Sequence, residues 1–272
     1  MIKDTFFSTS RFMNLCRKEM VESWRTNLLR LVMLYGIMAV LFVANAYFKY
    51  QWYPEFATDD PMVTYSLTYF VSLGWIFGLI FASMAFSNLK SKTSRLSVMM
   101  TSATPFEKYF SRWMIYTLVY AVAFIIAFML ADYTRVLISK IMFPNTTIHV
   151  ASLKHLVVYS PQYSLMPDVK MFIKLLLLYF FTQSFFFLGS AVWPKNSFVK
   201  TFAAGLGIIL TYALFAAVTV RILIGESIYI EKFDISIETA NTIGMCIMVF
   251  FTLFNWTLAY YRFKESEIIN RL

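Results

Sequence analysis

SNLKSKTSRLSVMMTSATPFEKYFSRW, residues 87–113, is a basic stretch held between two long hydrophobic runs. It carries Lys90, Lys92, Arg95, Lys108 and Arg112 against a single acid, Glu107. The runs before and after it, 64–86 and 114–136, are each long enough to cross ~30 Å of hydrocarbon, which takes about 20 helical residues. Working outward, four more such runs lie at 29–48, 171–192, 202–224 and 239–261. No segment shows the ten-residue alternation of a membrane barrel, and backbone crossing lipid must satisfy its own hydrogen bonds, so helices are the reading. The expected fold is an all-α polytopic membrane bundle of six transmembrane helices, a single domain over 1–272.

Composition agrees. The chain is 59% hydrophobic and 14% charged, with 29 Phe and 17 Tyr and a mean hydropathy of +0.63; soluble domains carry about 25% charged residues. With the N-terminus inside, 16 of the 24 Lys and Arg fall on the inner side. The bias predicts that both termini are cytoplasmic. The net charge of +9 follows from this topology, because it is spread over membrane-flanking loops; nucleic acid is not an expected partner. Residues 1–28 are too polar for a cleavable signal. Cys16 and Cys246 fall on different levels of the bundle and offer no disulfide or metal framework.

Residues 11–28, RFMNLCRKEMVESWRTNL, place Phe12, Cys16, Met20, Trp24 and Leu28 at a spacing of four. Arg11, Asn14, Lys18, Glu22 and Arg25 take mostly the other side. This predicts an amphipathic helix lying in the inner interface; a solvated extension of the first span is the alternative. On the outer side, Asp59-Asp60-Pro61 reads as a turn, and residues 139–170 form the largest loop. Trp193-Pro194-Lys195-Asn196 reads as a tight inner turn between the fourth and fifth spans.

The central basic loop divides into two parts. Thr104-Pro105-Phe106-Glu107 is a capping-box signal: the Thr hydroxyl caps, Pro fits the first turn, and Glu reaches back to the cap. A helix is expected to start at Pro105 and run into the third span. Upstream, Leu89, Thr93, Leu96 and Met100 keep a helical stripe with Met99 beside it. A short helix followed by a sharp break suits docking of a soluble partner; anchoring to anionic headgroups is the competing reading. The candidate docking residues are Arg95, Leu96, Met99, Met100, Thr104, Pro105, Phe106, Glu107 and Lys108.

Within the spans no ionisable group is central. Asp132 and Arg135 lie about 28–33 Å beyond Trp113 at 1.5 Å per residue, share a helix face, and are expected to form an interfacial ion pair near the outer surface. Gln183 and Ser184 are the candidate pathway residues, although interhelical hydrogen bonding is the commoner use of such groups. His149 and His155 lack the pattern of a zinc site. No phosphate-binding loop and no nucleophile elbow is found. The chain is therefore expected to be no enzyme and to need no cofactor.

The run Arg95-Leu96-Ser97-Val98-Met99-Met100, then Thr101-Ser102-Ala103-Thr104-Pro105-Phe106-Glu107-Lys108, resembles the coupling-helix region of type-2 permeases of ATP-binding cassette exporters. The stretch Phe185-Phe186-Phe187-Leu188-Gly189-Ser190 with Lys195-Asn196 and Lys200-Thr201 looks like a related group from Bacteroidetes-type bacteria. In that family re-entrant outer helices often lie between spans five and six. Here that loop is only 225–238, and the larger outer loop precedes span four. The resemblance implies a membrane-spanning subunit in a bacterial inner membrane, a homodimer or heterodimer with another permease, and a separately encoded ATPase. A non-transporting scaffold that binds a cytoplasmic partner is the alternative.

Overall fold

The computed structural model describes residues 6–52, 60, 62–144, 146–157, 165–224 and 236–268. Nine α-helices are described: α1 Thr9–Glu22, α2 Trp24–Trp52, α3 Met62–Ser83, α4 Lys92–Met99, α5 Pro105–Met114, α6 Tyr120–Met142, α7 Val169–Val192, α8 Ser197–Ile224 and α9 Ile237–Ile268. A five-residue π-helical segment, Ile115–Val119, joins α5 to α6 without interruption. Short 3₁₀ turns lie at Ser87–Leu89 and Leu153–Leu156. Among the described residues there is no strand, and one isolated bridge pairs Val157 with Met166. Six helical stretches are long and apolar enough to cross a membrane, the architecture of a multi-pass membrane protein.

The expected spans 29–48, 171–192, 202–224 and 239–261 lie within single helices, whereas 64–86 overruns α3 by three residues and 114–136 runs from the end of α5 across the π-helical joint into α6. The boundary before the first span also moves. Residues 24–28, grouped by spacing with the amphipathic segment, belong to the helix of the first span; the break is at Ser23. A four-residue apolar spacing runs through Phe12, Met20 and Trp24 alike, so periodicity could not locate that break.

The contacts divide the chain into two compact units. The first comprises residues 1–81 and 102–176. In it α2 buries Leu34, Met38, Phe42, Ala46 and Tyr50, one residue per turn. Leu34, Met38 and Phe42 pack with Tyr120, Phe124, Ala127, Phe128 and Ala131 of α6 and Leu67 of α3 in one cluster, while Ala46 and Tyr50 join Met62, Val136 and Ile148 in another. Phe42 meets Phe128 edge-on at 5.7 Å between centroids. Lipid is as apolar as these side chains, so close packing and polar bridges hold such helices together. Here the bridges are Tyr35 to Thr134 at 2.9 Å, Tyr120 to the Gly74 carbonyl at 3.1 Å, and Asn45 to Tyr69.

The second unit comprises residues 82–101 and 177–272. Phe86 packs between Phe187, edge-on at 5.2 Å, and Phe263, tilted at 5.3 Å, all three fully buried. The turn from α7 to α8 is tight because Asn196 adopts a left-handed backbone, φ 56°, a conformation that asparagine tolerates better than most residues. Gly189 of α7 lies against Thr201 of α8 so closely that an added Cβ would meet the threonine hydroxyl at 1.9 Å.

Candidate functional site

The loop that dominates the sequence begins with α4. Ser91 caps it, its hydroxyl accepting from the Ser94 N–H at 3.3 Å, and the Arg95 guanidinium donates to the Leu89 carbonyl at 3.1 Å. That bond turns the arginine back onto its own segment. Leu96 and Met100 point outward, 56% and 84% exposed. The Met99 side chain lies outside the described residues.

After the break, α5 starts at Pro105 with both halves of the capping box made. The Thr104 hydroxyl accepts from the Glu107 N–H at 3.3 Å, and the Glu107 carboxylate accepts from the Thr104 N–H at 3.0 Å. The carboxylate also serves a distant partner. Arg11 of α1 donates to it through Nε and Nη2, each at 2.9 Å, and the Ser8 N–H donates at 2.7 Å. The side chain of Glu107 is wholly buried. Lys108 is buried as well.

Contacts continue along both helices. The Thr104 hydroxyl donates to the Phe6 carbonyl at 3.0 Å. Phe6 stacks on Phe106 at 5.0 Å, Phe106 on Phe110 at 5.7 Å, and Phe110 on Trp113 at 5.6 Å, while Phe12 meets Phe110 at 5.3 Å. Farther on, Arg112 faces Glu19 at 3.5 Å and the Ser111 hydroxyl donates to the same carboxylate at 3.3 Å. Burial raises the Glu19 carboxyl above its ordinary value, opposed by the charge of Arg112 and the Ser111 hydroxyl. Burial, and then the Glu19 charge, also raises the Cys16 thiol. The amphipathic segment thus packs through Phe12 and Leu15, with Arg11 and Glu19 as its polar fasteners, and leaves Met13 and Met20 exposed.

Of the nine candidate docking residues, Leu96 and Met100 turn apolar side chains outward, whereas Glu107 and Lys108 are enclosed within the chain. Nothing local in the sequence marks Arg11 and Ser8 as partners of Glu107, because they lie 96 and 99 residues away.

Asp132 and Arg135 pair as expected, Nε donating to Oδ1 at 2.8 Å, and both are fully buried within the chain. The cause is a third charge. Asp60 lies 3.6 Å from Arg135, accepts from the Tyr50 hydroxyl at 2.7 Å, and accepts from the N–H groups of Met62 at 3.0 Å and His149 at 2.9 Å. Asp132 accepts in turn from the Ser66 hydroxyl at 3.2 Å and the Ala151 N–H at 2.7 Å. Arg135 closes the group by donating to the His149 carbonyl at 2.8 Å. The Asp59-Asp60-Pro61 punctuation reads as a turn and carries no sign of this role for Asp60.

Gln183 and Ser184 are buried. The Ser184 hydroxyl accepts from the Asn255 amide of α9 at 3.1 Å and donates to the Phe181 carbonyl at 2.8 Å, an interhelical bridge. A pocket of about 280 Å³ on the same helix is lined instead by Phe181, Thr182 and Phe185 facing Phe202 and Gly205. Among the described residues no group of three or more His, Cys, Asp or Glu could hold a metal ion. No protein-family model matches the chain, and neither a curated protein nor a solved structure matches it.

Proposed function

We propose that this chain is the membrane-spanning permease subunit of an ATP-binding cassette transporter, an exporter, driven by a separately encoded ATPase. It works in the bacterial inner membrane with its termini in the cytoplasm, as one half of a homodimer or of a heterodimer with another permease. The observation that carries this reading is the short capped helix α4, which turns Leu96 and Met100 outward immediately before a rigidly capped helix. Apolar anchors on a stretch that also carries Lys90 and Lys92 suit a groove on a soluble partner. From Pro105 the backbone is helical to Met142, so a displacement received at the loop is delivered along the third span. The latch of Arg11 on Glu107 makes α1 move with that helix.

The test is to isolate the tagged full chain from its native membrane and measure the ATP hydrolysis that accompanies it. The variant Leu96→Glu/Met100→Glu is expected to insert normally and to lose that activity. Retention of the ATPase by this variant, or transport by the chain reconstituted alone, refutes the proposal.

A further inference from the structure

A second feature of the first unit has no part in that reading. Where α1 gives way to α2, a pocket of about 370 Å³ opens between the start of α2 and the joint of α5 and α6. Its walls are apolar, with Leu31 and Leu34 on one side and Phe81 on another. The π-helical segment supplies Ile115, Tyr116 and Val119. Such widened turns recur at functional sites.

One cation is set among these groups. Arg30 lies 5.7 Å over the Phe81 ring, and its Nη1 donates to the Asn27 side-chain oxygen at 3.4 Å. Among the described residues no carboxylate pairs with it. The arrangement contrasts with Arg11, Arg112 and Arg135, each of which meets an acid. The Asn27 amide nitrogen remains available as a second donor, because its oxygen is already used by Arg30. The two side chains therefore offer clustered N–H donors and one positive charge at the mouth of an apolar groove.

We infer that this groove binds an anionic phospholipid, its phosphate on Arg30 and Asn27 and one acyl chain along Leu31, Leu34 and Val119. The position fits. Arg30 lies about 9 Å, six residues, beyond the start of α2 at 1.5 Å per residue, on the face of the bundle that carries α1. Trp24 at 55% and Leu28 at 51% exposure form the lateral rim, and Trp24 and Tyr116 are of the residue types that gather at headgroup level. A soluble partner would have to reach a half-buried arginine laid over the Phe81 ring at the mouth of an apolar groove. A lipid presents a phosphate and a hydrocarbon chain together, at that depth and in that order. A headgroup attracted by one basic residue near the surface gains enough that losing the charge weakens binding about fivefold.

The experiment uses the full chain in mild detergent, titrated with phosphatidylglycerol or with phosphatidylcholine of the same acyl length, and read by native mass spectrometry. Wild type is expected to retain phosphatidylglycerol more tightly than phosphatidylcholine. Arg30→Gln is expected to weaken phosphatidylglycerol binding about fivefold, Arg30→Lys to restore most of it, and Val119→Trp to displace both lipids by filling the groove. Lys264→Gln, at an exposed position of α9, is the charge-matched control and should leave retention unchanged. Phosphatidylglycerol binding that is equal in wild type, Arg30→Gln and Val119→Trp overturns the inference. So does equal retention of the two lipids by wild type. A second copy of the chain lost on Val119→Trp without any change in lipid would assign the groove to a protein contact instead.

Discussion

Replacing Arg135 tests whether the three-charge cluster is what holds the far end of the first unit together. The guanidinium is fully buried and touches four groups: Asp132 at 2.8 Å, the His149 carbonyl at 2.8 Å, the Tyr50 hydroxyl at 3.4 Å and Asp60 at 3.6 Å. Arg135→Gln leaves two buried carboxylates facing one another without a counter-charge. Breaking a buried ion pair in this way costs about 3–5 kcal/mol. The lower end applies, because Asp60 keeps the Tyr50 hydroxyl and two backbone N–H donors while Asp132 keeps Ser66 and Ala151. A loss of about 3 kcal/mol lowers the folding equilibrium more than a hundredfold.

The assay is reversible unfolding of the purified chain in mixed micelles, followed by tryptophan fluorescence. Arg262→Gln is the internal comparison, since its pair with Glu265 is 45% and 50% exposed and such pairs contribute about 0–1 kcal/mol. Asp132→Asn combined with Arg135→Gln should recover part of the loss, because one unpaired charge is removed with its partner. An Arg135→Gln chain no less stable than Arg262→Gln would refute the assignment of the cluster as a clasp.

The other two expectations concern packing at the opposite ends of sequence separation. Glu107→Gln should release α1 while leaving α5 capped; charge-assisted bonds contribute about 1.5–3 kcal/mol, and the one-third exposure of Arg11 favours the low end. Amide exchange across Thr9–Glu22 is therefore expected to quicken about tenfold with the spans unchanged. Gly189→Ala should lower the melting temperature of the full chain, because the new methyl overlaps Thr201, and overpacking of this kind costs about 1–3 kcal/mol. Gly205→Ala, whose methyl would meet only the Phe185 ring at 3.3 Å, should be milder.

Much of the architecture is legible because its signals are local. The six spans follow from runs of apolar residues, and the start of α5 follows from four consecutive residues whose side chains cap one another. The pairing of Asp132 with Arg135 follows from their spacing on one helix. What escaped is non-local. The burial of that pair depends on Asp60, which arrives from a loop whose Asp-Pro punctuation reads only as a turn. Glu107 satisfies its local capping role and still accepts from Arg11 on both oxygens, a choice no short-range pattern records. The π-helical segment Ile115–Val119 likewise carries no breaker residue, since its five residues would suit an ordinary α-helix.

The clasp around Arg135 bears on how the polypeptide is made. Asp132 and Arg135 stand three residues apart, so they enter the bilayer as a self-neutralised couple whose two charges cancel during insertion. Asp60 emerges from the ribosome 75 residues before the arginine that completes it, and the two N–H donors at His149 and Ala151 come later still. Maturation of this end of the protein therefore waits on the segment after α6. An early truncation would strand an aspartate that later chain growth normally neutralises, and would present it to quality control as an unfinished product.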